Sequence, residues 1–225
     1  KSTKPYIVKN VQGIKVGIIG IIPSNLSELV LEHNIKGIKF EKEIPTLNKM
    51  VKEVKTLGAD IIILLSSNGI PWDREEEYEN FLNKLSEFNP DEDKLNALEL
   101  GYFAENVDLI VAGGNSKGYP KIWYDKNSHV YVTQNYGNGT EFGHLILETV
   151  DNKLSDIYSA MSGRIGQTLL ADNFDADDET LTLLKDLELR ALSKLTSKNH
   201  VYNQNNIYPT LSINQDRWNC PNLDL

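Results

Sequence analysis

At 225 residues with a formal net charge of −9, the chain can bury one good core with a modest appendage, and its lysines and arginines are interspersed with acids. That excludes a general nucleic-acid backbone binder, which needs grouped cations, and no run reaches the roughly eighteen apolar residues of a membrane helix, so no membrane span is expected. A single cysteine, Cys220, excludes an internal disulfide and a cysteine-built zinc cluster, leaving a thiol whose one conceivable role is a bridge to another chain.

The first residue is Lys1 and no signal-peptide pattern follows, so the sequence is expected to be a processed product or a piece of something longer. Tyr6 to Lys9 and Ile14 to Ile22 flank the turn-like Val11-Gln12-Gly13, which predicts a hairpin whose second, wholly apolar arm lies centrally in a sheet. Pro45 opens a helix with Leu47, Met50, Val51, Val54 and Leu57 on one face, and Gly58 stops it. Asp60 to Leu65 is too short and too branched for a helix; it reads as a buried parallel strand that breaks at Ser66-Ser67-Asn68-Gly69.

The acidic stretch 73–93 reads as an inserted surface helix, its charge run a solvated face and Tyr78, Phe81, Leu82 and Leu85 a partial apolar stripe. Leu95 to Glu105 is again helical and Val107 to Ala112 again strand-like, leading into Gly113-Gly114-Asn115-Ser116-Lys117-Gly118. Strand, helix, strand and glycine-rich loop thus alternate, which predicts an α/β layer architecture with its site on loops at the C-terminal ends of strands. Lys121 to Tyr124, Val130 to Gln134 and Phe142 to Val150 alternate apolar and polar residues between Asn- and Gly-rich turns, as antiparallel strands do, and a tight turn at 151–153 leads into a further strand over 154–159. A leucine-rich helix is expected from about Asp177 to Leu195, with Asp175, Asp177 and Asp178 as its cap and dipole partners rather than a calcium site. Residues 199–225 read as an extended Asn-rich tail after a unit spanning 1–198.

The order of these pieces resembles the 5′-nucleotidase branch of the calcineurin-like metallophosphoesterases. The resemblance rests on Gly13 to Gly20, on Ala59-Asp60 with the strand into Leu65-Ser66, on Val107 to Val111 running into Gly113-Gly114, and on Thr133-Gln134 followed by Gly137 and Phe142-Gly143-His144-Leu145. It covers about Lys4 to Leu195 and implies part of a four-layer αββα sandwich: an α/β fold, the C-terminal half of such a domain, with a mixed sheet and antiparallel C-terminal strands. Half a sandwich exposes a sheet edge and an apolar face, so a partner is expected, either another protein chain or the protein's own N-terminal half.

In that family the two loops carry histidines, as Leu-Ser-His and Gly-Gly-His-Ser-His, that hold a two-metal centre. There two divalent ions clamp a phosphate and lower the pKa of a bridging water. This chain has Ser67 at the first histidine position and Asn115 and Lys117 at the other two. A serine hydroxyl is a poor ligand, a lysine ammonium has no lone pair, and only the Asn115 carbonyl is a conceivable metal donor. The family's Asp-x-His, Gly-Asp and Gly-Asn-His segments have no counterpart here.

His33, His129, His144 and His200 are scattered without ligand spacing. Lys117 among Gly113, Gly114 and Gly118 could hold an anion, and Asn68 is a second candidate substrate-binding residue, although a solvated loop lysine is the plainer reading. Trp72, Tyr78 and Phe81 could form a docking surface or simply pack into a core or lid. Neither Ser66 nor Ser67 has the Gly-x-Ser-x-Gly setting of a nucleophile, so no catalytic residue is assigned and no cofactor is expected. The leading expectation is a degenerate phosphoesterase-fold module, non-catalytic and used for assembly or binding, periplasmic or extracellular as the family resemblance implies. The alternative is a split or processed phosphoesterase that hydrolyses phosphate esters with divalent metal (Mn, Zn or Mg), most of whose ligands a missing N-terminal half supplies.

Overall fold

The computed structural model describes residues 3–28, 30–92, 94–159, 168–169 and 175–196. The chain divides into two compact units, Lys1–Leu170 and Ala171–Leu225. The expected tail, with His200 and Cys220, lies outside the described residues.

The first unit is built on a six-stranded mixed sheet. Strands β1 (Tyr6–Val11) and β2 (Ile14–Ile21) form the expected hairpin, one residue tighter than the sequence suggests, because Val11 stays in the strand. Gln12 and Gly13 both take positive φ, 52° and 92°, the backbone of a two-residue turn whose twist matches its strands. The strand order is β1, β2, β3 (Ile61–Ser66), β4 (Leu109–Ala112), β6 (Tyr131–Thr133) and β5 (Trp123–Tyr124), so β2 is interior as expected.

Strands β2, β3, β4 and β6 are mutually parallel. The expectation of antiparallel strands from residue 121 onward is therefore corrected for β6, which pairs parallel with β4 and antiparallel only with β5. Alternation reports a strand's two faces, not its partner's direction, and that is why the sequence misleads here. Beyond β6, β7 (Glu141–Phe142) pairs antiparallel with β10 (Thr168–Leu169), while β8 (Leu145–Val150) and β9 (Lys153–Ser159) form a separate antiparallel hairpin.

Helices α1 (Glu43–Thr56), α2 (Arg74–Asn83) and α3 (Ala97–Phe103) contribute to one core cluster, with Leu47, Val51 and Val54, then Tyr78 and Phe81, then Leu98 and Leu100. They meet the sheet row Tyr6, Ile19, Leu64, Ile110, Val132 and Trp123, whose members are register partners across the six strands. Gly17 is required on this face, because a Cβ there would lie 2.2 Å from a Val54 methyl. The acidic stretch is shorter as a helix than its sequence suggests and is not merely a surface insertion, since Tyr78 and Phe81 are buried. The Tyr78 hydroxyl donates to the buried Asp125 carboxylate, and burial together with that acceptor pushes it well above the usual tyrosine range.

In the second unit, α4 (Asp178–Thr196) begins where the sequence places it, capped by Asp177, whose Oδ1 accepts from the Thr180 N–H at 2.8 Å. The Thr180 hydroxyl, and after it this N–H, hold the Asp177 carboxyl below its ordinary value.

Candidate functional site

Adjacent parallel strands deliver their following loops to the same sheet end. Leu65 pairs with Val111 and Ser66 with Ala112, so the loop after β3 and the glycine-rich loop after β4 leave side by side. They touch backbone to backbone at Gly114, where φ is +95° and a Cβ would fall 2.0 Å from the Ser67 carbonyl oxygen. Gly69, at φ +70°, allows the Asn115 amide a similar approach. Only glycine meets both demands.

Two hydrogen-bond networks then fix the loops. In the first, Asn68 Nδ2 donates to Glu43 Oε2 at 2.6 Å and to the Leu95 carbonyl at 2.9 Å, while its Oδ1 accepts from the Ser66 hydroxyl. Glu43, only 4% exposed, also accepts from the Ser24 N–H at 2.8 Å, and its place in the first turn of α1 sets its charge against the positive helix end. Asn96 completes this side as a capping box with Glu99, fixing the start of α3 beside the loop.

In the second network, Asn115 Nδ2 donates to the Ile70 carbonyl at 3.0 Å, and Asn115 Oδ1 accepts from Gln134 Nε2 and from the Lys117 N–H at 3.2 Å. Gln134, 1% exposed, receives the Ile70 N–H on its Oε1 at 2.8 Å and also donates to the Lys117 carbonyl. The Lys117 ammonium stands 4.9 Å from the Trp72 ring, 5.0 Å from Tyr119 and 6.0 Å from Tyr136. This is a cation held by ring faces. The Tyr119 hydroxyl reaches the carbonyls of Pro71 and Trp72, both at 2.5 Å, so its single proton serves one at a time. Burial raises the Tyr119 hydroxyl above its ordinary value, and the neighbouring Arg74 pulls it partly back.

Ser67, Asn68 and Asn115 are thus brought together, and with Pro23, Asn25 and Lys94 they line a cleft of about 350 Å³. Lys117 points instead into its aromatic cage. As metal donors these residues fit poorly. The Asn115 carbonyl already accepts two hydrogen bonds, the Lys117 nitrogen carries a full complement of protons, and Asn68 is spent on Glu43 and Leu95. Among the described residues no three His, Cys, Asp or Glu side chains gather as a metal-holding group. His33 sits in a short 3-10 turn, His129 Nδ1 lies 2.7 Å from the Tyr124 hydroxyl, and His144 is exposed between strands. Of the Trp72, Tyr78 and Phe81 group, the last two belong to the core, whereas Trp72 is 63% exposed against Lys117.

Sequence reasoning gives no role to Glu43 or Gln134, the two buried polar groups on which the networks converge. The sequence starts the helix at Pro45 and so leaves Glu43 outside it, and Gln134 enters only as part of the Thr133-Gln134 segment of the resemblance, without a structural role. Only the loops that fold over them reveal them.

No protein-family model matches the chain. Over 188 residues it is 28% identical to "Cell wall protein Lmo0130" of Listeria monocytogenes, a match covering 79% of this chain and 22% of that protein. Its structure is similar to the calcineurin-like phosphoesterase YfkN from Bacillus subtilis, with TM-score 0.60, 18% identity, and coverage of 87% of this chain and 60% of that one. It is also similar to a 5′-nucleotidase precursor from Thermus thermophilus, with TM-score 0.55, 18% identity, and coverage of 85% of this chain and 35% of that one. The fold is that of 5′-nucleotidases and calcineurin-like phosphoesterases, and the chain spans a part of it.

Proposed function

We propose that this chain is a phosphoesterase-fold module that no longer hydrolyses phosphate and serves protein assembly or binding at the cell surface or outside the cell. The observation that carries the reading is the fate of the side chains at the ligand positions. Asn115 is committed to loop-to-loop hydrogen bonds and Lys117 to an aromatic cage, so the loops are held by protein groups where metals would otherwise hold them. The assembly role is supported by the sheet face opposite the helices, where Ile7, Leu65 and Val111 are 38%, 46% and 38% exposed. A secreted or surface location is supported by the likeness to a cell wall protein and to a nucleotidase precursor.

A ligand that binds only the folded state raises the melting temperature. Thermal melts with Mn or Zn at near-stoichiometric concentration are therefore expected to match the metal-free melt, and p-nitrophenyl phosphate to remain uncleaved. A clear rise in melting temperature with hydrolysis overturns the reading. The cleft beside Ser67 and Asn115 favours one alternative, a phosphoesterase whose remaining ligands come from another segment or chain. In that case metal and hydrolysis appear together when such a partner is added.

A further inference from the structure

A second cavity, of about 590 Å³, lies at the other side of the sheet, along β5, the last strand in the order. It is lined by Arg74, Lys121, Trp123, Tyr124, Lys126 and Ile157, none of which lines the cleft at the loops. Its volume falls within the range of small-molecule sites.

Arg74 anchors it. The residue is 6% exposed, and its guanidinium is stacked 4.3 Å over the Tyr119 ring and 5.5 Å from Trp123. Nη1 donates to the Lys121 carbonyl at 2.8 Å and Nε pairs with Glu75 Oε1 at 2.7 Å. Those bonds engage two of the three guanidinium nitrogens, and no bond from Nη2 is seen among the described residues. The partners are unequal, since the Arg74 side chain is 7% exposed and that of Glu75 is 68%. A buried, ring-braced cation whose one ion-paired carboxylate among the described residues sits in solvent is preorganised for an anion that can take Glu75's place.

The remaining charges agree. Lys121 and Lys126 are exposed at the rim, and Asp156 is the other carboxylate of the lining, so cations outnumber acids by one. The walls are aromatic and the floor is apolar: Tyr124 is 43% exposed and Ile157 is 4% exposed. Tyr124 and Tyr131 have centroids 4.7 Å apart with planes tilted by 43°. That geometry offers no parallel slot to sandwich a flat base, and the exposed Tyr124 ring can take the C–H side of a sugar, so AMP is the control that separates the two.

We propose that this cavity binds an anionic saccharide, a sugar ring against the exposed Tyr124 with its phosphate or carboxylate reaching round the sheet edge to Lys121 and Arg74. The test is isothermal titration calorimetry on the full chain at low salt with glucose 6-phosphate, digalacturonate, maltose, inorganic phosphate and AMP. At least one anionic sugar is expected to bind about tenfold or more tighter than maltose and inorganic phosphate, a gap of about 1.4 kcal/mol. Preference for glucose 6-phosphate identifies phosphorylated sugars as the source, and preference for digalacturonate identifies acidic glycan chains. Arg74→Gln is expected to abolish binding. Because that residue is buried, Lys121→Ala and Tyr124→Ala serve as more exposed variants, each expected to weaken binding about fivefold or more while the protein still melts as a folded chain. The proposal is overturned if neither anionic sugar binds, if maltose or inorganic phosphate binds as tightly, if AMP binds more tightly, or if both surface variants bind like the wild type.

Discussion

The two faces of the central sheet are made of the same kind of residue and meet different fates. On the helix side, register partners Ile19, Leu64 and Ile110 are each 0% exposed beneath α1 and α3. One residue along each strand, the opposite row runs Ile7, Ile18, Ile63, Leu109 and Tyr131, and beside it Leu65 pairs with Val111. Leu109 is buried, but Ile7, Leu65 and Val111 remain open. Branched apolar side chains on both faces are the signature of strands meant to be covered twice. The difference between the faces shows which one is left uncovered among the described residues, and the proposed assembly role rests on that face.

The largest effect should come from deleting side chain on the covered face. Leu64→Ala is expected to cost ~2–5 kcal/mol in urea denaturation, while Leu65→Ala, its neighbour on the open face, should stay within about 1 kcal/mol. Equal costs would mean that the open face is already covered in solution, and sedimentation would then report self-association. Next comes the sheet end: Gly114→Ala combines positive φ with a clash against the Ser67 carbonyl and should cost ~1–3 kcal/mol, read as a lowered melting temperature. Asn68→Ala leaves Glu43 and the Leu95 carbonyl short of a donor, and a loss of ~1–2 kcal/mol is expected. A silent Asn68→Ala would mean that the loops do not depend on the first network.

The smallest effect is at Asp108, just before β4. Burial lifts its carboxyl above the ordinary value, although the Ile62 N–H at 2.7 Å and the Lys55 charge pull the other way. With the folded value above the unfolded one, the charged form costs stability at neutral pH, and the cost fades as pH falls through the folded value towards the unfolded one. Asp108→Asn should therefore be slightly more stable than the wild type at neutral pH, with the gap closing in acid. A gap that widens in acid would reverse the sign.

Most of the sheet and the helix positions are legible in the sequence, because period and punctuation are local. Pro45 and Gly58 bracket α1 to within two residues at either end. Direction of pairing is not local, so β6 reads as antiparallel, and an acidic stretch hides the buried Tyr78 and Phe81 because their partners Asp125, Phe88 and Phe103 come later in the chain. The identity of the site loops follows from the resemblance, while what Asn68, Asn115 and Lys117 do there follows only from the fold. Glu43, Gln134 and Tyr119 are distant in sequence from the loops they hold.

That same remoteness governs how the molecule is assembled. The β1–β2 hairpin closes over a two-residue turn, an event of microseconds. Adding β3 to it, where the Lys15 N–H meets Asp60, spans 45 residues, and adding β4, where the Ile62 N–H meets Asp108, spans another 46. Each parallel pairing must close a long loop before it gains anything, so these pairings are expected to form more slowly than the hairpin. Until β3 and β4 have joined, the apolar rows of β2 lack their neighbours, so a long lag between hairpin and sheet is a window for aggregation.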